Sequence, residues 1–388
     1  MCSLFLVVLP AAFVLGCAAD AERSPPSEQV SAPEWNVALA MVRDGDSIFV
    51  GRAERLDRID AATGVVTVIA GPEWAECPGH PSITWLPTVM DYGYPNLVVR
   101  GTTLYLVQSD CGLWSFDTVT KQQHMLVDPT PETRAKRLDA EGVFPDGATW
   151  NGKTGPDWNG PFGLALAADG DGLIACFQAN AHEPDPRAPD GSDFRQRIEL
   201  WSLATDGTPR EMLTFIDPEP SATNGEDYCK HVIPDATSIL FSTDRSILRF
   251  DRETRAVTTL VSGYTYGTDG LAQDATDVFY IGPRNDVLRI PRGGGEPLVL
   301  RASSNDPREP ARMTVTLDGE HVYFDEGYSL MRVNKDGSGL ITLSAGDDGS
   351  WVLPMTLGIG DDHVYFEGMT GSTSGDAKLL GALYRTAR

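Results

Sequence analysis

The stretch Val322-Tyr323-Phe324 through Leu343 decides the fold of this chain, and its most recognisable part is Leu330-Met331-Arg332-Val333. This run consists of an apolar residue, a variable residue, a residue that is usually Arg, and a second apolar residue. The same run occurs at 56–59, 113–116, 200–203, 247–250, 287–290 and, with a polar last residue, 383–386. Seven copies along one chain indicate an internal repeat.

Each copy predicts two β-strands joined by a tight turn. An apolar or aromatic residue stands nine positions before the last apolar residue, as Phe324 stands before Val333. The same spacing occurs at Val50, Val107, Phe241 and Ile281. Alternation with a period of two predicts strands, and a separation of about four or five residues predicts a hairpin. A repeat of about 40 to 50 residues that divides into four strands is typical of a β-propeller.

We therefore predict an all-β fold in which residues 34–388 form a β-propeller of seven four-stranded blades. Six or eight blades stay open as alternatives, because degenerate copies can be miscounted. The predicted innermost strands are 37–42, 97–100, 163–167, 231–234, 270–273, 313–316 and 355–359. The last copy ends at Arg388, directly after its third strand. Because an open seam would expose strand edges, we expect residues near 28–33 to supply the missing outer strand and close the ring.

The repeat resembles those of the YWTD propellers of the LDL-receptor type and of TolB-like propellers. Tyr323-Phe324-Asp325 stands where those repeats have Tyr-Trp-Thr-Asp. The later run from Leu330 to Gly337 stands where they have Ile-x-Arg-x-x-x-Asp-Gly. Those families have six blades where this chain has seven copies. The resemblance implies an architecture that binding proteins and enzymes share, so it does not imply one function.

Composition excludes some classes of protein. The chain has 388 residues, 41% of them hydrophobic, with 39 Gly and 27 Pro, which suits a large core with many turns. Its formal net charge is −24 and its sequence pI is about 4.5. An acidic surface repels phosphate backbones, so nucleic acid is not an expected partner.

The first seventeen residues form an apolar stretch that is too short to span a bilayer as a stable helix. Its end, Val14-Leu15-Gly16-Cys17, resembles the lipobox of bacterial lipoproteins, in which the Cys is lipidated and the preceding residues are removed. Val14 stands where Leu is commonest, and no Lys or Arg precedes the apolar run. An ordinary signal peptide and a buried apolar segment therefore stay open, but we expect a signal peptide over residues 1–17 and lipidation of Cys17.

Residues 18–33 have almost no apolar content and include Arg23-Ser24-Pro25-Pro26-Ser27, which predicts a disordered tether. Several acyl chains on Cys17 would make a stable membrane anchor. By analogy with lipoprotein sorting in Gram-negative bacteria, Ala18-Ala19 after the Cys favours the outer membrane. We expect an exported protein that is lipid-anchored on the periplasmic side or the surface of that membrane.

Successive connections in a four-stranded meander alternate between the two faces of the ring. The first-to-second and third-to-fourth connections share one face, the turn face, and these are short turns of Asp, Gly and Thr. The second-to-third connections and the links between blades share the other, the loop face. The long insertions all fall on the loop face: 71–95, 128–160, 177–196, 217–230 and 367–381. Long loops on one side of a rigid scaffold usually carry binding or catalytic residues.

Besides Cys2 and Cys17, the chain has four cysteines: Cys77, Cys111, Cys176 and Cys229. An even number in an exported chain predicts two disulfides, and four cysteines allow three pairings. The alternation of faces places all four on the loop face, two in blade two and two at blade three. We therefore predict the pairs Cys77–Cys111 and Cys176–Cys229.

The loop-face insertions are rich in aromatic residues, which bury a large area at low entropic cost and suit sugar faces, peptides or protein partners. The predicted binding residues are Trp74, Trp85, Tyr92, Tyr94, Trp150, Trp158, His182, Arg187 and Tyr228. The alternative is that these rings form small cores beneath the loops. The repeat-position residues Trp114 and Trp201 are predicted to be structural.

A metal site has weaker support in the sequence. His80, His182 and His231 lie on or beside the loop face with nearby carboxylates, but without the spacing of a helical zinc motif. The run Asp169-Gly170-Asp171-Gly172 resembles the start of a calcium loop. Leu173, which is apolar, stands where such a loop needs an oxygen ligand, and Asn180 stands where it needs a bidentate Glu, so we predict a turn there.

We predict that the loop face around blades two to four binds a protein, carbohydrate or small-molecule ligand, without a cofactor and without catalysis. The sequence contains no nucleophile elbow, phosphate-binding Gly loop or dinucleotide fingerprint. The alternative is a calcium-dependent, lactonase-like hydrolase with carboxylates at the mouth of the central channel. Such sites leave little trace in a linear sequence.

Overall fold

The structure is a computed structural model of the chain. It describes residues 27–30, 38–52, 55–71, 76–77, 80–84, 97–108, 112–127, 164–181, 195–216, 229–263, 270–303, 312, 314–326, 329–344, 357–370 and 380–388.

Short strands make up almost all of the regular structure in these residues. In chain order they are β1 (Glu28–Gln29), β2 (Ala38–Asp44), β3 (Ser47–Arg52), β4 (Leu56–Asp60), β5 (Val66–Ala70), β6 (Glu76–Cys77), β7 (His80–Thr84), β8 (Leu97–Arg100), β9 (Thr103–Gln108), β10 (Gly112–Asp117), β11 (Gln123–Val127), β12 (Leu164–Asp169), β13 (Gly172–Ala181), β14 (Arg195–Leu203), β15 (Pro209–Ile216), β16 (Cys229–Pro234), β17 (Ser238–Thr243), β18 (Ser246–Asp251), β19 (Val257–Ser262), β20 (Leu271–Gln273), β21 (Asp277–Ile281), β22 (Val287–Pro291), β23 (Leu298–Arg301), β24 (Val315–Leu317), β25 (His321–Glu326), β26 (Ser329–Asn334), β27 (Ile341–Ser344), β28 (Leu357–Ile359), β29 (His363–Thr370) and β30 (Leu380–Ala387).

The strands form seven four-stranded antiparallel sheets, so the predicted seven-bladed propeller is confirmed. Blades 1 to 6 are β2–β5, β8–β11, β12–β15, β16–β19, β20–β23 and β24–β27, and blade 7 is β28, β29, β30 and β1. The first strand of each blade contacts the first strand of the next blade, and β28 contacts β2, so the blades close into a ring. The hairpin β6–β7 lies in the link between blades 1 and 2.

The N-terminal strand closes the ring, as predicted. β1 pairs with β30 in antiparallel register, with Glu28 opposite Arg385. The amide of Val30 donates to the carbonyl of Leu383 at 2.8 Å. The hydroxyl of Ser27 donates to that of Ser344 at 2.6 Å, which links the segment to blade 6 as well. Part of the predicted tether, residues 18–33, therefore belongs to the propeller.

The second strand of each blade supplies the core because each sheet lies between two neighbours. Val322, Tyr323 and Phe324 are all fully buried although they are consecutive in β25. Phe324 packs in a cluster with Val287 of blade 5, and Tyr323 packs in a cluster with Val364 of blade 7. A strand that is buried on both faces needs an apolar run, as in parallel sheets covered on both sides.

In blades 4, 5 and 7 the Arg of the repeat bonds to the next blade. Arg249 of blade 4 donates to the carbonyl of Arg292 in blade 5 at 2.6 Å. Arg289 of blade 5 donates to the carbonyl of Lys335 in blade 6 at 2.8 Å. Arg385 of blade 7 donates to the carbonyl of Thr63 in blade 1 at 2.7 Å. The repeated Arg is therefore structural, and this role explains why Arg recurs at the third position of the repeated run.

A second contact between blades uses the Asp of the first turn. This Asp lies four residues before the first apolar residue of the second strand, and it pairs with a basic residue of the next blade. The pairs are Asp169–Arg252 at 2.7 Å, Asp235–Arg292, Asp274–Lys335 at 2.8 Å and Asp318–Arg388. They join blades 3 to 7 in succession. The sequence analysis assigned these Asp residues to turns and missed the ion pairs.

The acid and the base are present together or absent together at six of the seven junctions between blades. Each base stands two residues after the end of the repeated run, and at that position blades 1, 2 and 3 have Ala61, Thr118 and Thr205. Blade 7, which precedes blade 1, has Gly360 at the Asp position. Blade 2, which precedes blade 3, has Arg100 there. Asp44 of blade 1 is the exception, because it faces a blade that has Thr118.

The pKa values of Asp235, Asp274 and Asp318 are lowered, which holds these carboxylates in the charged form. Burial opposes ionisation of Asp235, but hydrogen bonds from Thr237 and Ser238 outweigh it and lower its pKa to about 2. Burial also opposes ionisation of Asp274, but hydrogen bonds from Lys335 and Thr276 are stronger and lower its pKa to about 2. The turn face is thus held by ionised groups between neighbouring blades.

Removing β1 should destabilise the propeller. A chain that begins at Ser27 keeps the closing contacts, whereas a chain that begins at residue 31 loses the β1–β30 pairing and the Ser27–Ser344 bond. At about 1 kcal/mol for each net hydrogen bond, we expect the second form to be less stable by about 2 to 3 kcal/mol. Chemical unfolding of both truncated forms measures the difference. Equal unfolding midpoints would contradict the closure.

Stability should fall with acid as the turn-face pairs are protonated. The pKa of Asp235 is lower in the folded protein than its usual value of 3.8, so the stability that it contributes is complete above about pH 4 and is lost as the pH falls towards 2. That contribution is about 2 kcal/mol. We expect Asp235→Asn to lower stability at pH 7 and to flatten the dependence between pH 4 and 2. Asp44→Asn, at the same turn position of blade 1, is the matched control and should change neither curve as much.

Candidate functional site

The candidate functional site is the loop face, because the strand bounds leave only short turns on the other face. On the turn face, the longest connections between described strands, such as that from Pro291 to Leu298, skip six residues. On the loop face, seven connections between blade strands have nine or more residues: 71–96, which contains the β6–β7 hairpin, 128–163, 182–194, 217–228, 302–314, 345–356 and 371–379. All the long connections therefore start and end on one face of the ring, as predicted.

The predicted binding residues lie in these connections and fall outside the described residues. They are Trp74, Trp85, Tyr92, Tyr94, Trp150, Trp158, His182, Arg187 and Tyr228, and the lipidation site Cys17 is also outside. The described strands fix where two of these connections meet the scaffold. His182 directly follows β13, and Tyr228 directly precedes β16.

A disulfide joins blades 3 and 4 on the loop face. Cys176 in β13 is bonded to Cys229 at the start of β16, with their Cα atoms 5.9 Å apart. This is one of the two predicted pairs. It ties the C-terminal end of the link 217–228 to β13 of blade 3. Cys111 lies outside the described residues, so Cys77–Cys111 stays a prediction. A disulfide such as Cys176–Cys229 is typical of proteins that fold outside the cytoplasm.

Polar side chains lie close to this disulfide. Glu199 in β14 is fully buried, and its carboxylate accepts a hydrogen bond from the indole of Trp201 at 2.7 Å. The pairing of β16 with β17 is irregular between Cys229 and His231, so Lys230 forms a bulge. The Lys230 ammonium lies 2.9 Å from the Asp244 carboxylate. A bulge redirects a side chain at the rim of a sheet, and bulges are common beside functional sites.

Blades 5 and 6 are joined on the loop face by a buried arginine. Arg312 is 2% exposed and donates to the backbone carbonyl of Asn285 and to the carboxylate of Glu326. Its amide donates to the side-chain oxygen of Asn285 at 2.7 Å. Arg301 donates to Glu326 at 2.9 Å, so this carboxylate bridges two guanidinium groups. Sequence reasoning missed this contact because Arg312 lies in a link and not in a repeated position.

Blade 1 carries a similar contact at its second-to-third turn. The Asp57 carboxylate is fully buried between the guanidinium groups of Arg52, at 3.0 Å, and Arg55, at 2.7 Å. Asp57 occupies the variable position of the repeated run. Hydrogen bonds from two guanidinium groups hold this carboxylate in one position, so it fixes the turn on the loop face.

The structure gives a structural role to the residues that were considered as metal ligands near the turn face. Asp169 and Asp171 of the calcium-like run pair with Arg252 and Arg210, and the run forms the turn between β12 and β13, as predicted. Among the described residues there is no group of three or more His, Cys, Asp or Glu side chains that could hold a metal ion. Nor does any helix in the described part of the chain have the length and hydropathy to cross a membrane.

Arg312→Ala should destabilise the protein strongly, because it leaves buried polar groups without their donor. We expect a loss of about 3 kcal/mol, in the range for breaking a buried ion pair. The control is Arg284→Ala in the β21–β22 connection that Arg312 contacts, since Arg284 pairs with Asp286 at 3.2 Å but is 80% exposed. It should cost less than about 1 kcal/mol. Urea unfolding at neutral pH compares the two, and equal losses would refute the assignment.

Comparison with known proteins concerns the fold of the chain. No protein-family model and no curated protein matches the chain. The extracellular domain of BT4673 from B. thetaiotaomicron is 12% identical with a TM-score of 0.51, over 93% of this chain and 43% of that one. A chain of a nidogen/laminin complex is 12% identical with a TM-score of 0.44, over 78% and 94%. BamB from Moraxella catarrhalis is 13% identical with a TM-score of 0.43, over 89% and 83%. At such identities the similarity concerns the fold alone, and the chain is a β-propeller.

Proposed function

We propose that this protein is an exported β-propeller that binds a protein, carbohydrate or small-molecule ligand on its loop face and has no catalytic activity of its own. The observation that carries the proposal is the difference between the two faces. Seven connections of nine or more residues start and end on the loop face, whereas the turn face has connections of at most six residues. Ligand-binding residues of rigid scaffolds are usually on such loops.

The turn face is less suited to binding because its polar groups already serve the ring. Its Asp carboxylates pair with basic residues of the next blade, as Asp274 does with Lys335 at 2.8 Å. Its turns also bond to their own backbone, as when the amide of Thr276 donates to Asp274 at 2.8 Å. A ligand on this face would have to compete with these contacts.

The loop face instead has fixed attachment points for its long connections. The Cys176–Cys229 disulfide and the Arg312–Glu326 pair hold the strand ends from which the loops of blades 3 to 6 leave. A scaffold that is rigid at the loop ends lowers the entropic cost of binding. We assign recognition to the aromatic residues of these loops, Trp74, Trp85, Tyr92, Tyr94, Trp150, Trp158 and Tyr228, with His182 and Arg187.

The proposal includes an anchor on the membrane. Residues 1–17 would be a signal peptide, Cys17 would be lipidated, and the following residues up to β1 would be the tether. The supporting feature is Val14-Leu15-Gly16-Cys17. The disulfide between Cys176 and Cys229 agrees with export. We also assign Cys77 and Cys111 to a second disulfide on the same face.

Site-specific photocrosslinking tests the choice of face. A photoreactive amino acid replaces Trp158 or Tyr228 on the loop face, and Val119 in a turn-face connection is the control, since its side chain is exposed. After irradiation of native cells, we expect discrete adducts at Trp158 and Tyr228 and none at Val119. Adducts of equal yield at all three positions, or only at Val119, would contradict the proposal. The adducts are measured by denaturing electrophoresis and mass spectrometry.

A further inference from the structure

The N-terminal strand fixes the point at which the segment that follows Cys17 joins the propeller. β1 lies on the outer edge of blade 7, where Glu28 accepts a hydrogen bond from Arg385 at 2.7 Å. Residues 18–26 separate Cys17 from Ser27. Even a fully extended chain of this length spans only about 35 Å. A lipid on Cys17 would therefore hold the outer rim of blade 7 close to the bilayer.

Two exposed apolar side chains lie beside this point. Val65 directly precedes β5 of blade 1 and is 61% exposed, and Val68 lies within β5 and is 55% exposed. Val66 packs on the apolar cluster between blades 7 and 1, and so does Val30, which follows β1. Val66 and Val68 lie on the same face of β5, because they are two residues apart in a regular part of the strand. The exposed Val68 therefore continues the surface that Val30 and β1 cover.

The charge of this rim differs from that of the whole chain. Among the described residues, the ionisable side chains that strand pairing and hydrogen bonding place at this edge, apart from the buried Asp57, are Arg58, Arg385, Glu28 and Asp60, whose charges balance. Arg385 also donates to the carbonyl of Thr63 at 2.7 Å, which places this arginine next to the start of β5. The chain as a whole carries −24. An anionic bilayer repels a negative surface, but a neutral rim with exposed apolar groups can approach it, and burial of those groups is favourable.

We propose that the rim formed by β1, β30 and β5 rests on the lipid bilayer, with Val65 and Val68 as its contact residues. The inference depends on the proposed lipid anchor at Cys17. Because this rim is the outer edge of the ring, both faces then stand at a steep angle to the membrane. The loop face opens sideways, and a ligand can reach it without passing between the propeller and the bilayer.

The experiment measures the distance of two matched positions from the bilayer. The full chain, with Cys17 retained, is purified from the membranes of a Gram-negative expression host. It is reconstituted into vesicles of phosphatidylethanolamine and phosphatidylglycerol that contain a lipid with a nitroxide quencher. Val68→Cys and Val299→Cys each carry a fluorescent dye. Val299 is the control because it is 46% exposed and lies on β23, the outer strand of blade 5.

We expect the dye at position 68 to be quenched severalfold more than the dye at position 299. Flotation with the vesicles, compared with the Cys17→Ser variant, separates the anchor from the orientation. If the chain floats but both dyes are quenched equally, or position 299 more, the orientation is wrong and the anchor stands. If the chain with Cys17 does not float, both the anchor and the orientation are wrong. Circular dichroism of the labelled variants confirms that each is folded.

Discussion

The contact between neighbouring blades is the constraint on which this structure depends. A single four-stranded blade is apolar on both faces, as the consecutive buried residues Val322, Tyr323 and Phe324 show. Neither face can be buried until a neighbour covers it, so no blade is stable alone and the stack must continue until it closes. Apolar packing alone does not define how adjacent blades are positioned. The repeated Arg and the Asp–base pairs do, because they bond only when adjacent blades are in the correct register.

Closure by β1 follows from the same constraint. The chain ends one strand short of seven complete blades, and β1 is recruited from the other end of the sequence to pair with β30. The two ends of the chain then hold each other in place. The large separation of the two ends in sequence adds little to the cost of closure, because loop-closure entropy grows only slowly with length. The covered edge would otherwise be open to pairing with another chain.

The two faces use polar contacts differently. On the turn face the contacts repeat with the blades and connect each blade to the next. On the loop face they are individual: the Cys176–Cys229 disulfide at blades 3 and 4, Arg312 between blades 5 and 6, and Asp57 in blade 1. Repeated contacts maintain a scaffold, whereas individual contacts hold particular loops. This division agrees with a scaffold that keeps its variable part on one side, which is how rigid folds commonly carry recognition.

The sequence by itself determined the strands, the number of blades, the closure by the N-terminal segment and the Cys176–Cys229 pair, since period-two alternation and strand parity are local properties of the chain. It also contained the Asp–base pairs, but only as residues at matching positions of different copies, and their contact required the neighbouring blade. Only the tertiary structure decided that Arg312 bonds to Glu326 and that Val68 lies beside β1, because these contacts join segments with no shared position in the repeat. The long loops that would recognise a ligand lie outside the repeat. For them the sequence determines which side chains are present, and nothing about how those side chains are arranged.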